Sequence, residues 1–219
     1  MKASTKGEIT RQEILQKVND LFNESGIDHT LVQISKSIGI GKSRITNYFP
    51  KKEDLIINLL REYEVEMVDW VSNYQSKTGI RNFSEYIPYL AGIMELMFQY
   101  RRVISISLIN SKPEGDVVHH MRSRYEMNKR QIRDRMEAFA KNGLIREELL
   151  EPERFEVFIF QFFCMTSNWI VMYNLLDADR DFKLVKVRYL KSILCCLDSY
   201  LTDKGRKDMA NAFSTLNQN

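Results

Sequence analysis

Basic and hydrogen-bonding side chains are concentrated in one short segment, SKSIGIGKSRITNYFPKK, which ends at Lys52. Every charged residue from Lys36 to Lys52 is a cation, and acidic residues return only at Glu53 and Asp54. Lysine and arginine bind phosphate-like anions, and the planar arginine guanidinium can present two N–H groups to one partner. Arginine, lysine and asparagine can also pair with the edges of nucleic-acid bases. The segment therefore offers the chemistry of anion and base-edge recognition.

The first element predicted to position these side chains is a short helix over 31–38. Thr30 is a favourable N-cap, and Gln33 completes a capping box with it. Gly39 follows the helix and can adopt the positive φ that a sharp turn requires. A helix that ends in a tight turn is therefore predicted here.

The second element is a helix predicted over 42–49. Gly41 allows the chain to enter it, and Pro50 ends it because proline has no backbone N–H and disfavours a helical conformation in the preceding residue. Together the two elements form a helix-turn-helix. Its inward-facing side chains are predicted to be Ile40, Ile45 and Phe49.

The outward side chains of this second helix and of the residues beside it divide into two predicted groups, on the hypothesis that the helix enters a DNA major groove. The candidates for base edges are Lys42, Arg44 and Asn47. The candidates for phosphate contacts are Thr30, Ser43, Thr46, Tyr48, Lys51 and Lys52. The alternative interpretation is a solvated basic face with no ligand.

Composition favours an all-α globular protein in a reducing compartment. The chain has 219 residues, of which 44% are hydrophobic, with only 9 Gly and 4 Pro, and period-two strand patterns are scarce. The net charge of +3 is mild, so local clustering rather than total charge indicates an anionic partner. Three cysteines form neither a disulfide framework nor a zinc pattern, and the N-terminus has no apolar signal core, so a cytoplasmic location is expected.

Helical periodicity and breaker residues predict the remaining organisation. The further helices are predicted at 8–25, 53–75, 83–100, 102–110, 115–142, 153–176, 181–202 and 206–215. Ser76 to Gly79 is predicted as a soft joint. The predicted domains are a helix-turn-helix domain over 1–52, a connecting helix over 53–75 and a C-terminal domain over 76–219.

The N-terminal segment resembles the DNA-binding domain of tetracycline-repressor (TetR) family transcriptional regulators. The residues that carry the resemblance, in order and spacing, are Arg11, Ile14, Leu15, Leu21, Phe22, Gly26, Thr30, Ile34, Gly39, Ile40, Tyr48, Phe49, Lys52, Glu53 and Leu55. The sequence departs from the family pattern at Ser35, Gly41 and Thr46, where alanine, a serine N-cap and a phosphate-contacting tyrosine are usual.

The resemblance implies an all-helical, two-domain protein that binds a near-palindromic operator as a homodimer. It also implies that the larger C-terminal domain dimerises and binds a small apolar or amphipathic effector that releases the DNA, as expected of a repressor. From the residues alone, no recognisable catalytic set or phosphate-binding glycine loop appears, so an enzyme is the weaker class. The alternative is a small-molecule-binding or enzyme-like helical protein that retains the helix-turn-helix as a scaffold.

Two further sets of candidates come from the C-terminal half. Aromatic, methionine and polar residues predicted to line a ligand pocket are Tyr86, Met94, Phe98, Phe162, Met165, Asn168, Trp169 and Tyr173. Apolar residues predicted for a dimer interface are Phe158, Leu190, Leu194, Leu197 and Leu201, four of which form a leucine seam. For the pocket set, the alternative is that these residues are ordinary core, which is more often the role of such side chains.

Three other patterns favour structural interpretations. The uncharged stretch 157–176 is long enough to cross a bilayer, but its polar residues favour a buried helix and no membrane contact. Asp177 to Asp181 imitates a calcium loop without its glycine and glutamate, so Asp181 or Asp179 is predicted to cap the next helix. His119 and His120 are adjacent and cannot face one metal from a single turn. No metal or cofactor is expected.

Overall fold

The computed structural model describes residues 6–110 and 116–216, and within these ranges the chain is all-α, as predicted. The side chains of residues 6, 75–78, 109, 110, 116–121 and 124 lie outside this description. The helices are α1 Lys6–Ser25, α2 Leu31–Ile38, α3 Lys42–Thr46, α4 Lys52–Thr78, α5 Phe83–Gln99, α6 Arg101–Asn110, α7 Asp116–Lys141, α8 Pro152–Leu176, α9 Phe182–Leu194 and α10 Asp203–Leu216, with single 3₁₀ turns at Glu147–Leu150 and Cys195–Leu197.

The first of two compact units contains the described residues up to 69 together with 95–110. One face of α1 supplies its core, through the fully buried residues Ile14, Leu15, Val18 and Phe22. The end of α5 is tied to the same helix, because Asn19 and Asn23 both donate to the Gln99 carbonyl, at 2.8 and 2.6 Å. The helix-turn-helix is therefore built on α1.

The second unit contains residues 70–94 and the described residues from 116 onwards. Its core is strongly aromatic, and the largest fully buried rings are Phe83, Tyr86, Phe139, Phe155 and Phe158. Phe83 and Tyr86 on α5 both meet Phe139 on α7 edge-on, with ring centroids 4.8 and 5.7 Å apart. Such edge-to-face contacts add to the stabilisation that burial provides.

The helix predicted over 181–202 is shorter than expected, since α9 ends at Leu194. After it, the chain pairs with the segment that follows α7: Arg146 N–H donates to the Tyr200 carbonyl at 2.8 Å, and Thr202 N–H to the Leu144 carbonyl at 3.1 Å. The α-helix gives way to a 3₁₀ turn at Cys195–Leu197, and these bonds take the chain out of the helical path by residue 201, so the helix cannot reach residue 202. Leu201 and Ile145 form an isolated antiparallel bridge there.

Two other boundaries also differ from the prediction. α4 continues to Thr78, so the expected soft joint at 76–79 is reduced to Gly79 after the helix end. The break predicted around residues 112–115 lies outside the described residues.

Candidate nucleic-acid interface

The cap and the turn of the helix-turn-helix have the predicted geometry. Gln33 N–H donates to the Thr30 hydroxyl at 3.3 Å, and Thr30 N–H donates back to the Gln33 side chain at 2.8 Å, which completes the capping box. Gly39 adopts a φ of 68°, the left-handed conformation that glycine accepts without strain. Helix α2 therefore begins and ends where the sequence predicted.

Helix α3 is shorter than the predicted 42–49, because it ends at Thr46. Asn47 and Tyr48 lie in the turn that follows, where Tyr48 N–H donates to the Ile45 carbonyl at 3.0 Å. This tighter bond closes the last turn, and Pro50 offers no N–H to extend the helix. Ile45 and Phe49 are fully buried, so they anchor α3 from both sides of its end.

The three base-edge candidates are all exposed on this short element. Lys42 begins α3 and Asn47 follows it, with Arg44 between them. The Arg44 guanidinium donates one hydrogen bond to the buried Thr10 hydroxyl on α1, at 3.2 Å. Only one of its five N–H groups is used in this bond, so the others remain able to reach a ligand. Thr10 was not among the predicted residues, because no local pattern links two positions so far apart in sequence.

The phosphate candidates fall into two groups. Thr30, Ser43, Tyr48 and Lys51 are exposed. Thr46 and Lys52 are half-buried, and each is engaged within the chain. The Thr46 hydroxyl donates to the Ser43 carbonyl at 3.2 Å, and the Lys52 ammonium donates to the Ile27 carbonyl at 3.3 Å. The first group is therefore directly accessible to phosphate, whereas the second would exchange or share an existing bond.

A supporting cluster beneath α3 centres on Arg11, whose family-like position was noted but whose role was not predicted. Its guanidinium lies 5.5 Å from the Phe49 ring centroid, donates to the Asn58 side chain and is 3.9 Å from the Glu62 carboxylate. Burial raises the pKa of Glu62 above its ordinary value, and the Arg11 charge opposes that rise. Arg11 thus connects the end of the helix-turn-helix with α4 inside the first unit.

In the second unit, α8 and α9 border an open cleft of about 360 Å³. Of the eight predicted pocket residues, it brings together Met165, Asn168 and Trp169. Tyr86, Met94, Phe162 and Tyr173 are buried and do not line it, and Phe98 belongs to the first unit. The eight residues therefore do not form one site, and Met172, Leu176 and Ser192 line the cleft without having been predicted as pocket residues.

The polar wall of the cleft is formed around Asp177. Its buried carboxylate accepts a hydrogen bond from the Tyr189 hydroxyl at 2.5 Å and another from Arg188, and Arg180 lies 3.5 Å away. The Tyr189 hydrogen bond and the Arg188 charge hold the pKa of Asp177 below its ordinary value. In the same segment Asp181 caps α9, as predicted, by accepting from Lys183 N–H at 2.9 Å.

The predicted dimer residues need a correction. Phe158, Leu190, Leu194, Leu197 and Leu201 are all buried in the core of their own chain, so they cannot also meet a partner. The apolar side chains that remain exposed on α8 and the start of α9 are Val157, Phe160, Met165, Met172, Leu175, Leu176 and Leu184. Helix α8 is long and apolar enough to cross a membrane, but its opposite face packs within the chain.

Comparisons with known proteins identify the fold. No family model and no curated protein matches the sequence. Among solved structures, a TetR-family transcriptional regulator from Marinobacter aquaeolei VT8 is similar with a TM-score of 0.73 at 19% identity, covering 94% of this chain and 98% of that one. A gamma-butyrolactone receptor (ArpA-like protein) has a TM-score of 0.65 at 15% identity, covering 98% and 99%. A SmeT–triclosan complex has a TM-score of 0.50 at 16% identity, covering 89% and 93%. The chain therefore has the fold of the TetR-family transcriptional regulators.

Proposed function

We propose that this chain is a DNA-binding transcriptional regulator of the cytoplasm. The observation that carries the proposal is the exposed group of Lys42, Arg44 and Asn47 on α3, a helix fixed from below by buried Ile45 and Phe49. Arginine or lysine suits guanine, asparagine suits adenine, and the nearby exposed Lys51 suits a phosphate. A basic surface that binds no ligand does not require its side chains to be held on a helix anchored like α3.

The regulator acts as a homodimer in this proposal, and the exposed apolar face of α8 is the contact. The apolar residues of that face recur at helical spacing opposite the buried face, and such a large apolar surface marks an interaction site. Two copies would place their α3 helices in successive major grooves, roughly 34–36 Å apart, on a near-palindromic operator. Dimerisation then sets the spacing of the half-sites.

Regulation by a small molecule completes the proposal, with the chain acting as a repressor that an effector releases. Solved proteins of this fold include a receptor for gamma-butyrolactone and a complex with triclosan, which supports small-molecule binding by the second unit. The residues of α4 are divided between the two units at Asp69 and Trp70, so this helix is the candidate for coupling effector binding to DNA binding. An effector shifts the equilibrium only by its differential affinity for the two states.

The test is selection of genomic fragments by the purified protein, followed by titration of the selected duplex at several salt concentrations. Selective binding with a steep salt dependence supports the proposal. An intact dimer that binds no fragment selectively at low salt would overturn it, and turnover of a metabolite by such a protein would favour the enzyme-like alternative.

Two variants then separate the roles of the side chains. Replacing Arg44 by alanine should relax base preference. Replacing Lys51 by alanine should weaken binding to all DNA sequences alike, and should reduce the slope of log affinity against log salt concentration by about one. Lys51 is preferred to Lys52 for this test, because the Lys52 side chain also bonds the Ile27 carbonyl and its removal would change stability.

A further inference from the structure

A buried aromatic cluster of α5 and α7 contains one arginine. Tyr86 is 1% exposed, and its ring is stacked on that of Tyr89, with centroids 6.1 Å apart and planes 17° apart. The Arg135 guanidinium lies over both rings, 4.7 Å from the Tyr89 centroid and 5.8 Å from the Tyr86 centroid. The cluster therefore holds a positive charge against two stacked tyrosines.

The charge of Arg135 is not neutralised by any carboxylate among the described residues. Its hydrogen bond of full geometry there runs from Nη2 to the Tyr89 hydroxyl, at 3.3 Å, and the guanidinium lies close enough to Tyr86 for a weak second one. By contrast, neighbouring Arg133 on the same helix forms an ion pair with Glu137 at 3.2 Å. Aromatic faces attract a cation but do not accept its N–H bonds, so the guanidinium retains donors for an anion.

The Tyr86 hydroxyl is a second unsatisfied group at the same place. It is fully buried and makes no hydrogen bond of full geometry with the residues that the structure describes; the Arg135 guanidinium lies close enough to donate weakly to its oxygen, but its O–H has no acceptor there. Burial raises the pKa of Tyr86 above its ordinary value, and the nearby Arg135 charge only partly opposes this. The phenol is therefore a neutral O–H donor at physiological pH, and leaving such a donor unpaired is unfavourable.

We propose that this cluster binds the carboxylate group of an organic effector, with Arg135 and Tyr86 as donors to its two oxygens. The inference rests on the proposed function, since it names the chemical class of the effector and the residues that recognise it. A carboxylate supplies both the missing negative charge and the missing acceptors, and arginine can bind its oxygens in parallel. Tyr89 orients the guanidinium through the bond already present.

The body of the effector is expected to be aromatic or apolar. Tyr74 lies beside Tyr89 with ring centroids 5.3 Å apart, and Trp70 lies beside Tyr74 at 5.7 Å, so a row of rings leads from the cluster to the half-exposed Trp70. A Cβ on Gly92 would lie 2.0 Å from the Trp70 ring, so only glycine lets the indole lie this close to α5. The row offers ring faces rather than polar groups.

Trp70 also provides the readout. The chain has two tryptophans, so Trp169→Phe leaves Trp70 as the single tryptophan, which is excited selectively over the tyrosines. This protein is titrated with phenylacetate and with octanoate, and in parallel with phenylacetamide and with chloride at equal ionic strength. We expect a saturable fluorescence change with at least one carboxylate, weakened at least about tenfold by Arg135→Gln and severalfold by Tyr86→Phe. Arg154→Gln, which removes an exposed arginine on α8, should leave it unchanged.

Several results would overturn the inference. These are no response to either carboxylate up to about 10 mM, equal binding of phenylacetamide, the same response to chloride, or undiminished binding by Arg135→Gln. If circular dichroism shows that Arg135→Gln does not fold, Arg135→Lys is used in its place. Lysine keeps the positive charge but cannot donate two parallel hydrogen bonds, so it should bind the carboxylate more weakly than the native chain.

DNA binding is measured on the same samples to separate the two proposals. Selective DNA binding without carboxylate binding overturns this inference alone. Carboxylate binding in a protein that selects no DNA overturns the proposed function alone.

Discussion

Replacing Thr10 by valine removes the hydroxyl that accepts a hydrogen bond from Arg44, while it keeps the shape of a side chain that is 8% exposed. We expect this variant to lose base preference, because the bond limits the positions that the Arg44 guanidinium samples before DNA arrives. Preorganisation of this kind lowers the entropy cost of binding. Serine at the same position keeps the hydroxyl and is the matched control.

The magnitude follows from the geometry of the contact. A hydrogen bond to a charged group is worth about 1.5–3 kcal/mol when it is well shielded. The Arg44 side chain is exposed and the bond is 3.2 Å long, so about 1 kcal/mol is a fair value, equivalent to about fivefold in a binding constant. Two copies in a dimer double the free-energy effect on a symmetric operator.

The assay is fluorescence anisotropy with a selected operator duplex and a scrambled duplex of the same length. Thr10→Val should lower the ratio of the two affinities, Thr10→Ser should leave it near the native value, and both should unfold at similar temperatures. If Thr10→Val bound the operator more tightly than the native chain, the contact would hold Arg44 away from DNA, and the reasoning would be refuted. An unchanged ratio alongside a reduced ratio for Arg44→Ala would refute it as well.

Three further predictions concern stability and assembly. Burial raises the pKa of Glu62, so its carboxylate destabilises the fold at neutral pH, and protonation on acidification removes this destabilisation. Glu62→Gln should therefore raise the thermal midpoint of unfolding at pH 7. The difference from the native chain should disappear below about pH 4.5, where the carboxyl is protonated in both states. A Cβ on Gly205 would lie 1.9 Å from the Leu144 carbonyl oxygen, so Gly205→Ala should cost about 1–3 kcal/mol in urea unfolding, whereas Gly41→Ala, which meets no atom within 4 Å, should be near neutral. Replacing Leu175, which is 73% exposed on α8, by arginine should shift the sedimentation coefficient from dimer to monomer without lowering helicity.

Local chemistry explains which elements could be predicted from the sequence. The capping box at Thr30, the positive φ at Gly39 and the stop at Pro50 each depend on residues within one turn of the chain, and all are found in the structure. The apolar stripe of α1 likewise depends only on helical spacing. The α-helices of the described residues were therefore predictable, whereas the 3₁₀ turns at Glu147–Leu150 and Cys195–Leu197 and the end of α3 at Thr46, before Pro50, were not.

Tertiary bonds explain the boundaries that could not be predicted. Nothing in the local sequence near Leu194 ends a helix; α9 gives way there to a 3₁₀ turn, after which Tyr200 and Thr202 bond with a segment more than fifty residues earlier. The bond between Arg44 and Thr10 has the same character, and so does the placement of Arg135 over two tyrosines of another helix. Side-chain chemistry indicated what these residues can do, but only the fold shows which partners they meet.

The surface that α8 presents to a partner shows why a hydrophobic pattern alone misplaced the dimer contact. The leucine seam of α9 has suitable spacing, but Leu190 and Leu194 are already buried, so a partner could gain nothing from them. Val157, Phe160, Met172 and Leu175 remain exposed.

Burying these four on both copies, at about 1–2 kcal/mol each, would contribute about 8–16 kcal/mol, comparable with the order of 4–15 kcal/mol that association costs. Further apolar contacts then decide the balance, and the exposed Leu184 at the start of α9 is the nearest source. Dimer stability therefore depends on side chains that the folded monomer leaves in water, and its unfolding midpoint should rise with protein concentration.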